Sequence, residues 1–224
     1  MTNIARRTLL SGALAAGAAT ALPAQASTLT PYQRRVMDIA KAQQDRVATH
    51  LWRTDIVGIA DFALHSREPR LHLANLETGT VRSFLTAHGR GSDPDHTGYL
   101  QSFSSLPGSE ATSRGAYLTA EWYTGKYGTS IRLLGLDPDN ATALERLIVV
   151  HSAWYVGPGM IEKWGKVGRS EGCFALAPED FNDVLYHLSF GRLLFADRIG
   201  NTGSAARKQH SATSTPNEKK IGSP

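Results

Sequence analysis

Hydrophobic and polar positions alternate along this chain in a way that changes twice. Thr30-Pro31 opens a stretch in which Val36, Ile39, Ala40, Val47 and Leu51 recur at helical spacing, while Arg34, Lys41 and Asp45 point elsewhere. Thr can accept hydrogen bonds from the first turn and Pro at the first helical position loses none, so the pattern predicts an N-terminal helix ending near Trp52. From Asp55 the period shortens. Residues 56–64, 70–76 and 81–87 read as strands, and Glu77-Thr78-Gly79-Thr80 as a tight hairpin turn, giving an antiparallel meander. A loop rich in Gly, Ser, Pro and Asp follows from His88 to about Arg114. Loops of this length inside a domain are often functional rims.

Strand-like runs resume at 116–122 and 130–136, separated by Gly125-Lys126-Tyr127-Gly128. Asp137-Pro138-Asp139-Asn140 can start a short helix through Arg146. Residues 147–151 form the most apolar strand candidate and deliver His151 at its end. After a loop come a short strand at 174–176, a helix from Pro178 carrying Phe181, Val184, Leu185 and Leu188, and a last strand at 193–196. Many short strands with few helices predict a mainly β domain, a β-sandwich or open barrel, over residues 27–202.

Composition places the 224-residue chain among globular proteins, at 41% hydrophobic and 20% charged. The formal charge of +4 sits at the ends: Arg6 and Arg7 carry +2 and the segment from Gly203 carries +3, which leaves −1 for residues 27–202. No basic face with interleaved aromatics speaks for nucleic-acid binding. Residues 203–224, rich in Ser, Thr, Lys and Gly, read as a disordered tail.

Residues 1–26 read as a cleavable export signal. Arg6-Arg7-Thr8-Leu9-Leu10 precedes a mild Gly/Ala-rich apolar run and Ala24-Gln25-Ala26, and the paired arginines resemble a twin-arginine signal. The apolar run is short for a membrane span, so no stable anchor is expected after cleavage. The expected location is the periplasm or cell envelope. In an oxidising compartment a structural cysteine would normally have a partner, and Cys173 is the only cysteine. It is then an inert buried residue, an intermolecular link or a reactive thiol.

Cys173 ends the run Gly168-Arg169-Ser170-Glu171-Gly172-Cys173. Arg169 would lower the thiol pKa and Glu171 would raise it. Backbone N–H groups of the turn could form an oxyanion hole. His151 ends a buried-type strand; for Ser152, either the carbonyl orients the imidazole or the hydroxyl caps the strand. Gly157, Pro158, Gly159 and Gly165 suit a loop that returns to the thiol, and Trp154, Tyr155 and Trp164 could wall a groove.

His151-Ser152, a loop, then Ser170-Glu171-Gly172-Cys173 resembles the signature of L,D-transpeptidase (YkuD-type) catalytic domains. The murein L,D-transpeptidase catalytic domain-like branch is similar also in His88-Gly89-Arg90-Gly91-Ser92, Ser105-Leu106-Pro107-Gly108-Ser109, Gly115-Ala116-Tyr117 and Gly125-Lys126-Tyr127-Gly128. The resemblance covers about residues 35–200. It implies the β-rich fold of that family and an exported cysteine acyltransferase acting on peptidoglycan stem peptides. It also implies Cys173 as nucleophile, His151 as base, the Ser152 carbonyl as its orienting group, and the N–H groups of Gly172 and Cys173 as oxyanion donors. Arg169, Ser170, Arg90, His88 and Tyr155 are candidates for substrate binding. No metal or organic cofactor is implied. Two departures stand out: Glu171 replaces the histidine of Ser-His-Gly-Cys, and Ala175 stands where the better-known branch often has arginine. The alternatives are hydrolysis of the same bonds, as an L,D-carboxypeptidase or endopeptidase, and a peptidoglycan-binding domain without catalysis. The sequence leaves the oligomeric state open.

Overall fold

A computed structural model describes residues 29–200. The export-signal reading and the tail reading from 203 onward lie outside the described residues.

The first element among the described residues is α1, Pro31–Val47. Its start is set by a reciprocal cap: Thr30 Oγ1 accepts from Gln33 N at 3.2 Å, and Gln33 Oε1 accepts from Thr30 N at 3.0 Å. Eight strands follow as β1 (Ile56–Asp61), β2 (Leu71–Asn75), β3 (Thr80–Phe84), β4 (Gly115–Gly125), β5 (Gly128–Gly135), β6 (Val149–Ser152), β7 (Phe174–Leu176) and β8 (Leu193–Asp197). Two further helices, α2 (Pro158–Trp164) and α3 (Pro178–Leu188), flank β7.

All eight strands form one mixed sheet in the order β3-β2-β1-β8-β4-β5-β6-β7. β8 runs parallel to β1 and β7 parallel to β6; the remaining pairs are antiparallel. The sheet also curls toward itself. The chain leaving β3 reaches the far edge, where Thr86 bridges Leu176 and Ala87 N donates to Ala175 O at 2.9 Å. The mainly β expectation with an N-terminal helix is met by this open-barrel-like sheet.

Two cores hold it. Val36, Met37, Ala40 and Val47 of α1 pack with Val57, Ile59, Leu193 and Phe195 on one face. Phe181, Val184, Leu185 and Leu188 of α3 pack with Ile56, Ala60, Leu71 and Leu194 on the other. β1 is therefore buried on both faces, which is why its run is apolar without alternation.

Several expected boundaries move. α1 stops at Val47 and a 3₁₀ turn, Ala48–His50, carries the chain on. The first strand ends at Asp61 because that buried carboxylate accepts from Ala63 N (3.0 Å) and Ile199 N (2.9 Å), which turns the chain. The helix expected through Arg146 is one 3₁₀ turn, Pro138–Asn140, followed by irregular turns. Leu147 has φ +55 and belongs to the bend before β6, not to the strand. The segment expected as a plain loop after Ser152 holds α2: Pro158 starts it, and Gly165, at φ +68, closes it with its N–H on Ile161 O.

Candidate active site

β6 and β7 lie side by side and in parallel, with Val150 opposite Phe174 and His151 opposite Ala175. Cys173 immediately precedes β7. The nucleophile candidate and the base candidate are thus carried on adjacent strands, and both line one cleft of ≈ 230 Å³ together with Tyr127, Tyr155 and Glu171.

The turn holding Cys173 is braced from within. Ser170 Oγ donates to Cys173 O at 2.7 Å and accepts from Gly172 N at 3.2 Å. Gly172 adopts φ +113, a conformation open to glycine, and a Cβ there would sit 2.8 Å from Ala111 O. The turn is also fixed from outside. Ser170 N donates to His88 O (2.9 Å) and Arg90 N to Ser170 O (2.8 Å). This close pairing requires Gly89, whose added Cβ would meet Glu110 O at 2.2 Å and Gly172 Cα at 2.7 Å.

His151 is 2% exposed. Its Nδ1 lies 2.9 Å from Ser152 O. A carbonyl only accepts, so Nδ1 carries the proton in the neutral ring and Nε2 keeps its lone pair. Burial lowers the imidazole pKa, and the Ser152 carbonyl opposes that shift. The ring is also covered: Tyr127, at the tip of the β4–β5 hairpin, stacks on it with centroids 4.5 Å apart and planes 22° apart.

The thiol of Cys173 is buried and pushed up to about 11. Desolvation is the main cause and the Glu171 carboxylate adds to it, against the Val149 N–H and the Arg146 guanidinium. Its Sγ donates to Leu147 O at 3.7 Å. The resting pair is therefore a neutral thiol and a neutral imidazole.

A second, larger cleft of ≈ 510 Å³ is lined by Tyr123, Arg132, Arg146 and Leu147. Lys126, Tyr127, Glu171 and Cys173 line both clefts, so the sulfur stands where the two meet. Glu171 is half-exposed and lies 3.6 Å from Arg90. Among the described residues, no group of three or more His, Cys, Asp or Glu is placed to hold a metal ion.

The remaining candidates divide. Tyr155, Ser170, Arg90 and Arg169 line the smaller cleft with Cys173, and His88 does not. Ser170 is 4% exposed and occupied in bracing the turn. Gly172 is in the turn, but its N–H is taken up by Ser170 Oγ, which conflicts with a free oxyanion donor there. Arg169 turns its guanidinium to Asp93 O and Pro94 O, and it is Arg146, not Arg169, that pulls the thiol pKa down. Arg90 is held by Glu110, with Nε–Oε2 at 2.5 Å. His88 does not reach either cleft. It is 1% exposed, its Nδ1 accepts from Arg70 Nη2 at 2.8 Å, and its Nε2 faces Asp93 Oδ2 at 3.3 Å. Burial, reinforced by the Arg70 charge, lowers its pKa to about 3. Trp154 and Trp164 are largely exposed and line neither cleft.

Sequence reasoning missed Tyr127, Arg146 and Leu147. The Gly-Lys-Tyr-Gly run marks a hairpin, but nothing local says that the tip folds over the imidazole. Arg146 and Leu147 sit in an irregular bend that periodicity reads as helix end and strand start.

A family model described as L,D-transpeptidase catalytic domain matches residues 28–196. No curated protein matches the chain. Among solved structures, an L,D-transpeptidase from Mycobacterium smegmatis is similar at 16% identity and TM-score 0.40, covering 64% of this chain and 58% of that one. L,D-transpeptidase 3 from Mycobacterium tuberculosis, with a faropenem-derived adduct, has 14% identity and TM-score 0.41, covering 64% and 60%. The helical cell shape determining protein Pgp2 from Campylobacter jejuni has 13% identity and TM-score 0.39, covering 75% and 57%. The chain thus spans less than two thirds of the length of each of these proteins.

Proposed function

Since the chain belongs to the L,D-transpeptidase catalytic domain family, we propose that it is a peptidoglycan-acting cysteine acyltransferase. The observation that carries this reading is the cleft shared by Cys173 and His151, with the imidazole held by the Ser152 carbonyl so that Nε2 is the free base.

His151 Nε2 takes the proton from Cys173 Sγ as the sulfur adds to the carbonyl of an L-centre–D-centre peptide bond in a stem peptide. The carbonyl becomes a tetrahedral oxyanion. When it collapses, the C–N bond breaks and the imidazolium returns its proton to the departing D-residue amine. A Cys173 thioester remains. An acceptor amine then attacks the thioester, loses a proton to His151, and the thiol is restored as the new amide forms. Water in place of the amine gives hydrolysis.

A neutral imidazole suits the first step, and a thiol held up near 11 makes proton removal concerted with attack, not prior to it. The stacked Tyr127 ring fixes the imidazole plane and keeps water off it. The two clefts meeting at the sulfur suit a reaction with two peptide partners, a donor and an acceptor. Export through the segment at 1–26 belongs to the same proposal, because the substrate lies outside the cytoplasm.

Incubation of residues 27–224 with purified muropeptides, read by mass spectrometry, tests the reading. Cross-linked dimers or exchanged terminal D-residues are expected, with an acyl adduct on Cys173. Shortened monomers alone would assign hydrolysis. Equal product from Cys173→Ala would sink the nucleophile assignment.

A further inference from the structure

A second histidine is wired to a hydroxyl outside both clefts. His72, on β2, is the cross-strand partner of Ser83, on β3. Its Nδ1 lies 2.8 Å from Ser83 Oγ, and its Nε2 lies 2.9 Å from the hydroxyl of Tyr32, in the first turn of α1. That hydroxyl donates to Asp61 Oδ2 at 2.7 Å. Asp61 is buried and also accepts from Ala63 N, Ile199 N and Gly200 N. None of these four side chains lines a cleft that holds Cys173.

The carboxylate sets the direction of every link. It only accepts, so the one hydroxyl hydrogen of Tyr32 is spent on it. The Tyr32 oxygen must then accept from His72 Nε2–H. A neutral imidazole with its proton on Nε2 has its lone pair on Nδ1, and the hydrogen of Ser83 is aimed at that lone pair. The ring is neutral at rest, because burial lowers its pKa to about 4. The four groups thus form one directed chain, from a hydroxyl to a buried anion. Asp61 and His72 are buried, Tyr32 is half-buried, and Ser83 is exposed on an edge strand of the sheet, where a reagent reaches it. A tie between α1 and the sheet needs the links from Tyr32 to Asp61 and His72. It does not need an exposed hydroxyl that delivers its hydrogen to the far side of the ring. An alcohol beside a base that is oriented by a third group is the arrangement that activates oxygen nucleophiles.

We propose that Ser83 is a second nucleophile and a site of covalent acylation, taking acyl groups from activated esters. Ser83 Oγ adds to the ester carbonyl as its proton passes to His72 Nδ1. The imidazolium so formed is stabilised through Tyr32 by the Asp61 charge. When the tetrahedral intermediate collapses, the C–O bond to the ester's alcohol breaks. The alcohol leaves with the proton from His72, and an O-acyl ester remains on Ser83. This inference makes no use of Cys173 and stands apart from the acyl transfer proposed there.

The probe is p-nitrophenyl acetate, given to the Cys173→Ala chain so that the thiol is silent, with acetylation mapped by mass spectrometry after proteolysis. Ser102, also exposed, is the reference within the same molecule. Ser83 is expected to gain acetyl about 100-fold faster than Ser102, the contribution of a positioned base. His72→Gln should bring Ser83 down to the Ser102 rate. Tyr32→Phe cuts the chain but keeps the serine and the imidazole, and should slow Ser83 by about 10-fold. Equal rates at Ser83 and Ser102 overturn the inference and leave the four residues as a tie between α1 and the sheet; that comparison changes none of the four. Fast acetylation of Ser83 that persists in both variants also overturns it, since the reactivity then owes nothing to the chain of hydrogen bonds.

Discussion

Acid should loosen this protein through His88, well before its carboxylates titrate. The ring accepts from Arg70 on one side and faces Asp93 on the other, wholly buried. A second proton would have to go on Nδ1, 2.8 Å from the Arg70 Nη2 donor, setting two cations against each other. The native pKa is accordingly lowered from 6.5 to about 3. Between those values the unfolded chain binds a proton that the native chain refuses, so stability rises with pH and is lost as pH falls below 6.5. From pH 6.5 to pH 4 the loss from this group is about 3 kcal/mol, at about 1.4 kcal/mol per pH unit. That is a large share of the roughly 5–15 kcal/mol typical of a domain. The assay is urea unfolding at pH 7, 5.5 and 4, followed by tryptophan fluorescence, on wild type and His88→Gln. Glutamine does not titrate, so its curve should be flatter by about 3 kcal/mol over that interval, whatever its stability at pH 7. His72, lowered to about 4 by burial, bends both curves alike and cancels in the difference. Parallel curves would refute the assignment of the acid sensitivity to His88.

Other expectations concern the site and its core. Glu171→Gln removes a charge that raises the Cys173 pKa, so iodoacetamide alkylation near neutral pH should speed up; an unchanged pH–rate profile would mean that the carboxylate does not act on the thiol. Tyr127→Ala uncovers the imidazole, and the His151 pKa should move up toward its ordinary value in an NMR titration. Phe174→Ala deletes a ring with no exposure that packs on Phe62 and Tyr117, and should cost about 3–5 kcal/mol in chemical denaturation.

Local chemistry made much of this molecule readable. Thr30-Pro31 predicts a cap that is present to the residue, and the Glu77–Thr80 turn closes as expected, with Asn75 Oδ1 accepting from Glu77 N and Thr78 N and Gly79 at φ +67. His151 does lie on a buried strand, one residue before its end at Ser152, and Cys173 does sit in a glycine-bearing turn. What stayed hidden depends on distant partners. His88 was a candidate for substrate through the resemblance; the buried Arg70 guanidinium that claims it comes from the residue just before β2, 18 positions earlier. Arg146 was unreadable for the same reason, since its anchoring carbonyls, Ser104 and Ala111, lie in the long loop. The α2 helix escaped because its glycines, at Gly157 and Gly165, mark its ends and not a loop.

The place of β8 in the sheet has a consequence for the order of assembly. It is the last of the described strands yet lies between β1 and β4, and among the described strands it alone bonds to both halves of the sheet. Until residues 193–197 are available, the edges of β1 and β4 are unpaired with each other, and the halves β3-β2-β1 and β4-β5-β6-β7 meet only through residues 86–90 against 170–176. The cleft needs both, because the turn before Cys173 hangs on His88 and Arg90 from the first half while His151 comes from the second. A chain emerging from its N-terminus therefore carries its thiol and its imidazole for some time without an assembled site. The two halves that carry the cleft are paired along β1 and β4 only when the closing strand slots in.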